Sequence, residues 1–145
     1  MKENFKKVFL DTTPMIYFLD NNPNFGNKTR KIIDYMLDEN KERVSSVVTC
    51  AEYLVIPYRN DNQLLVDSFW KFIIDTDMTL YPINYYDAMK AAKIRAKYKH
   101  FKPMDSLQLA VACLQGCDLF LTNDKQLTQF DEINCVTVEE WQFED

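Results

Sequence analysis

Short, wholly apolar runs of strand-forming residues alternate along this chain with longer segments of helical period. That alternation limits the chain to one broad architecture. Val8-Phe9-Leu10 and Leu119-Phe120-Leu121 are apolar at every position rather than at every second one, as in strands covered on both faces. Between them, residues 29–40 place Ile32, Ile33, Met36 and Leu37 at helical spacing, and residues 62–75 do the same with Leu65, Phe69, Phe72 and Ile73. Residues 85–98 read as a helix with a small-residue face (Met89, Ala92, Ala96) and a basic face (Lys90, Lys93, Lys97). The apolar segment 105–115 is a helix stopped by Gly116. Residues 43–48 are short and β-rich, while Leu80-Tyr81 and residues 136–138 read as brief strands. Thr49 is the expected cap of the helix after the second strand, which puts Glu52 in its first turn and its end near Pro57. Strands alternating with helices predict an α/β fold with a mostly parallel sheet, helices on both faces and right-handed crossovers.

The chain of 145 residues suits one domain over residues 1–145, and its 47% hydrophobic content is enough for a sizeable core. With only two glycines and five prolines, flexible linkers are not expected. No apolar run is long enough to span a membrane, and residues 1–7 lack a signal-peptide apolar stretch, so a soluble cytoplasmic protein is expected. Cys50, Cys113, Cys117 and Cys135 form no CxxC pair; Cys113 and Cys117 are expected to share a helix face as small buried side chains. A single histidine, His100, argues against a structural zinc site.

Four acids stand where the element order gives them a common address. Asp11 ends the first strand and Asp124 follows the strand that ends at Thr122. A crossover helix runs antiparallel to its strands, so its start lies at their carboxyl edge. Glu52 and Asp105 lie near two such starts. All four carboxylates are therefore predicted on the edge where open parallel sheets collect their function. Alone, each has an ordinary reading: turn residue for Asp11 and Asp124, first-turn acid for Glu52, helix cap for Asp105. Together, hard oxygen donors without histidine or cysteine suit Mg²⁺ or Mn²⁺. Such a cation neutralises crowded carboxylates, acidifies water and offsets charge on a phosphoryl oxygen, which phosphodiester hydrolysis requires.

Four segments, in this order, carry a family resemblance: Val8-Phe9-Leu10-Asp11-Thr12; Ser46-Val47-Val48-Thr49 with Glu52; Asp105-Ser106-Leu107-Gln108-Leu109-Ala110; and Phe120-Leu121-Thr122-Asn123-Asp124. The chain resembles the PIN-domain ribonucleases, especially the VapC-type toxins of bacterial toxin–antitoxin pairs. The resemblance implies a three-layer α/β/α sandwich on a five-stranded parallel sheet and Mg²⁺- or Mn²⁺-dependent endoribonuclease activity. It implies that Asp11, Glu52, Asp105 and Asp124 are the acidic set, and that Thr122 is the hydroxyl residue that helps place water or metal. It further implies a homodimer and a small antitoxin partner that blocks the cleft. Ser106 departs from the pattern, which often has a small aliphatic residue there, and residues 60–86 carry no motif.

The net charge of −5 argues against indiscriminate nucleic-acid binding, yet residues 88–104 contain no acid. There Lys90, Lys93 and Lys97 are candidate contacts to an RNA backbone, with Tyr86 and Tyr98 flanking them; a solvated helix face and buried tyrosines are the plainer readings. Other phosphate-handling folds fit less well. A receiver-like fold needs an acidic pair after the first strand, where Asp11-Thr12-Thr13 stands, and a dehalogenase-like phosphatase needs an acid at Thr13. A PIN-like scaffold without turnover is the remaining alternative; metal-dependent RNA cleavage separates it from an enzyme.

Overall fold

In the computed structural model of the protein, which describes residues 4–143, five strands form one parallel sheet. They are β1 (Lys7–Leu10), β2 (Glu42–Ser46), β3 (Thr79–Tyr81), β4 (Leu119–Thr122) and β5 (Asn134–Thr137), in spatial order β3-β2-β1-β4-β5. Helices α1 (Thr12–Leu19) and α2 (Gly26–Asp38) follow β1; α3 (Val47–Tyr53), α4 (Val55–Arg59) and α5 (Gln63–Asp75) follow β2. The helices α6 (Tyr85–Lys97) and α7 (Pro103–Leu114) lead from β3 to β4, and a 3₁₀ helix (Lys125–Gln129) leads to β5.

The period-two geometry of strands sorts the apolar runs into two cores. Val8 and Leu10 of β1, Leu119 and Leu121 of β4, and Val136 of β5 face a layer made by α1, α2 and α5, packing with Met15, Ile32, Met36 and Phe69. Phe9, Phe120 and Cys135 face the opposite layer, against Ile94 of α6 and Leu109 of α7. Phe9 and Phe120 are register partners, and their rings stack at 5.1 Å between centroids. The runs 8–10 and 119–121 are apolar at every position because both sides of the sheet are covered, which is the three-layer α/β/α sandwich.

Several local expectations shift. The second strand ends at Ser46, whose side chain, not that of Thr49, caps α3 by accepting the Val48 N–H at 3.2 Å. That cap turns the β-branched pair Val47-Val48 helical and places Glu52 in the second turn of α3 rather than the first. The helix ends at Tyr53, and Pro57 sits in the separate short helix α4. Helix α7 begins two residues before Asp105, with Pro103 at its first position, where a missing N–H leaves no gap. Asp105 is consequently a first-turn acid and not a cap. Cys117 lies beyond the end of α7, so it shares no helix face with Cys113; all four cysteines are free thiols. Gly116, at φ +71°, makes the left-handed stop between them. The last strand is Asn134–Thr137, starting two residues before and ending one residue before the 136–138 expected.

The α6 face expected from small residues is also different. Met89, Ala92 and Ala96 are exposed, and the buried residues are Asp87, Ala91 and Ile94. Asp87 is buried because its carboxylate closes a capping box, accepting the Asn84 N–H at 2.9 Å while Asn84 accepts the Asp87 N–H. Among the described residues, no helix is long and apolar enough to cross a membrane.

Candidate active site

The carboxyl edge of the sheet is built around Asp11. Its backbone N–H donates to the Leu121 carbonyl at 2.9 Å, extending the β1–β4 ladder by one step. Its side chain, 4% exposed, caps α1 through the Thr12 N–H at 2.9 Å and accepts the Thr122 hydroxyl at 2.8 Å. Thr122 in turn accepts the Asp124 N–H at 3.1 Å. One hydroxyl thus joins the carboxylate after β1 to the backbone carrying the carboxylate after β4. Asp124 caps the 3₁₀ helix, accepting the Gln126 N–H at 3.0 Å.

The acids act on one another electrostatically. The Asp11 carboxyl is pushed up to about 7, first by burial and then by repulsion from Asp105 and Glu52, against the opposing hydrogen bonds from Thr122 and Thr12. Asp105 is raised by its own burial and by repulsion from Asp124 and Glu52, with the Lys102 cation pulling the other way. None of the four forms an ion pair with a basic side chain among the described residues. As placed, however, no three His, Cys, Asp or Glu side chains among the described residues close into a metal-holding group. The donor chemistry nonetheless fits a hard divalent cation. The acids supply oxygens only, and the buried Asp11 has no counter-charge, so a cation is what would stabilise its ionised form.

Behind the acids lies a buried polar network that the pattern of acids does not reveal. Gln108 on α7 is fully buried. Its amide nitrogen donates to Thr49 at 3.0 Å and to Thr12 at 3.4 Å, while its oxygen accepts the Ser46 hydroxyl. Ser45 shares a 2.9 Å hydrogen bond with Thr49 and donates to the Leu10 carbonyl at 2.7 Å. The Thr12 hydroxyl donates to Glu52 at 2.6 Å. Glu52 is exposed, and this bond is what orients it. The available sequence signal was Gln108 at an otherwise apolar position of α7, flanked by Leu107 and Leu109.

The basic stripe does not stay free. Lys90 pairs with Glu132 at 2.5 Å and Lys97 with Asp131 at 2.9 Å, each with its ammonium form strengthened by that hydrogen bond. Lys93 is exposed. Tyr86 is exposed at 60% and packs beside Tyr85, so it is not the buried tyrosine expected. Tyr98 is half-buried and stacks on Phe101.

Solved structures share this fold. A toxin–antitoxin complex from Klebsiella pneumoniae is 18% identical, with 92% of this chain and 99% of that one covered at a TM-score of 0.70. VapBC2 from Rickettsia felis, bound to a DNA fragment from its promoter, is 11% identical over 90% and 98% of the two chains, with a TM-score of 0.75. DNA-bound VapBC from Salmonella typhimurium is 20% identical over 91% and 98%, with a TM-score of 0.66. At these identities the likeness establishes the fold. No curated protein matches the chain. The family model for the PIN domain matches residues 8–133, from the heart of β1 to the threshold of β5. That stretch holds Asp11, Glu52, Asp105 and Asp124 together with the network behind them, and the chain belongs to the PIN domain family.

Proposed function

We propose that the protein, as one domain, is a metal-dependent endoribonuclease and the toxin half of a toxin–antitoxin pair. The observation that carries the reading is the buried, unneutralised Asp11 carboxyl, held up at about 7 and repelled by Asp105 and Glu52 at the carboxyl edge of a PIN sheet. Asp11, Glu52, Asp105 and Asp124 would hold Mg²⁺ or Mn²⁺. When bound, such an ion acidifies water and offsets charge on the phosphoryl oxygens. The chain's own residues supply the rest. Thr122 fixes one Asp11 oxygen and the turn carrying Asp124. Thr12 fixes Glu52, and the covered strands behind the cluster keep solvent from the Asp11 side.

An antitoxin is supported as a partner by the similar structures, two of which are described as VapBC and one as a toxin–antitoxin complex. Exposed Ile56, which lines a hollow with Glu52, and exposed Val55 beside it in the chain are apolar surface that such a partner would cover. Leu64, Trp70 and Ile74 of α5, also exposed, are surface for a second copy in a homodimer. The scaffold reading draws on the absence of a closed ligand cluster among the described residues.

The test is incubation of structured and single-stranded RNA with the purified protein in Mn²⁺, in Mg²⁺ and in EDTA, beside Asp11→Asn and Asp105→Asn. Products that need the cation and vanish in both variants are expected. Cleavage that survives either substitution removes these acids from the centre, and no cleavage of any RNA favours the scaffold.

A further inference from the structure

The cations left free by the ion pairs of α6 lie one turn further on. The loop of residues 98–102 faces the 3₁₀ helix across a groove of about 220 Å³ lined by Lys97, Tyr98, Lys99, His100, Phe101, Gln126 and Gln129. Its two walls are the segments that lead to and from the acidic cluster. On one side, Lys102 adjoins the start of α7, and its charge is felt by Asp105. On the other, Gln126 donates its N–H to Asp124. We propose that this groove is a nucleotide subsite of the ribonuclease described above, on which reading it rests. It takes a residue of single-stranded RNA flanking the cleaved bond.

Three features fit that ligand. Lys99 and His100 make no hydrogen bond or ion pair among the described residues, so they are available to a phosphate; Lys90 and Lys97, by contrast, are neutralised by Glu132 and Asp131. The carboxamides of Gln126 and Gln129 are also without partners among the described residues. Each carries donors and an acceptor that can read the edge of an unpaired base. The floor is stiff: Tyr98 and Phe101 stack at 4.6 Å and 5°, and the Tyr98 hydroxyl donates to Asp131 at 2.8 Å while accepting the Asp131 N–H at 3.1 Å. Phosphate contacts position a strand and edge contacts select its sequence. The lysine and histidine thus supply affinity, and the glutamines supply base preference.

The experiment measures binding of a short labelled single-stranded RNA of mixed sequence by anisotropy, in an Asp11→Asn background that holds cleavage off. Lys99→Glu with His100→Glu should weaken binding roughly tenfold or more at low salt and lower the salt slope by about one to two. Lys31→Glu, on the opposite layer, should change neither. Gln126→Ala with Gln129→Ala, made in the otherwise native chain, should flatten the preference among cleavage sites. Urea midpoints equal to the parent's certify that the variants are folded. Parental affinity and salt slope in the first variant, with an unaltered cleavage pattern in the second, would overturn the subsite. If the native chain cleaves no RNA while the first variant still loses binding, the groove stands and the nuclease reading falls. Cleavage by the native chain with unimpaired binding by the variant removes the groove alone.

Discussion

Asp11 carries an energetic cost that can be read as a function of pH. Its carboxyl titrates near 7 when folded and near the ordinary 3.8 when unfolded. Between those values the folded state binds the extra proton, so stability falls as pH rises from about 4 to about 7 and stays low above that range. The full effect is of the order of 4 kcal/mol. In chelator, urea midpoints should therefore decline across this window, and Asp11→Asn should flatten the decline and be the more stable protein at pH 8. A native profile that rises over the same range would show that Asp11 is not buried unpaired. The position of Asp11 was legible in the sequence because strand ends are marked by the stop of an apolar run. Its burial was not, because that depends on the Thr122 hydroxyl, 111 residues away in the chain.

Gln108 is where elements rather than single residues are joined. Its amide ties α7 to Ser46 at the end of β2, to Thr49 in α3 and to Thr12 in α1. Gln108→Leu keeps the volume roughly but strands those hydroxyls, for a loss of about 1–3 kcal/mol. It also frees Thr12, and with it Glu52, so Mn²⁺ affinity should drop by about 10- to 100-fold. Calorimetric Mn²⁺ titration checks this; a destabilised variant with undiminished affinity would make Gln108 a packing residue only. Element types were well foreshadowed: the strand runs at 8–10 and 119–121 and the helical spacing over 62–75 reappear in the fold. Boundaries failed where a local cap competed with propensity. Val47-Val48 reads as strand, yet the Ser46 cap makes it helix and carries Glu52 a turn further along. On α6, burial of Asp87 through its capping box rotated the buried face to Ala91 and Ile94, which apolar spacing alone did not indicate.

At the scale of the molecule, the acids are repulsive partners held together by two hydrophobic cores. A divalent cation that binds only the folded form should reverse that repulsion. At a hundredfold excess over its Kd, Mn²⁺ should stabilise the protein by about 2.7 kcal/mol, roughly 5–10 °C in Tm. Asp11→Asn should lose most of that gain, and a native Tm indifferent to Mn²⁺ would argue that the cluster does not hold the ion. The site straddles the seam between β1 and β4, two strands that come from distant parts of the chain.

That pairing also has a consequence in time. During synthesis, residues 1–117 precede the strand that holds Asp11 in place through the Leu121 carbonyl and the Thr122 hydroxyl. Thr122 and Asp124 follow that stretch, and only then can the Thr122 hydroxyl donate to Asp11 at 2.8 Å and accept the Asp124 N–H. A chain interrupted before β4 has no assembled centre. If the edge cleaves RNA as proposed, it can do so only once β4 has paired with β1.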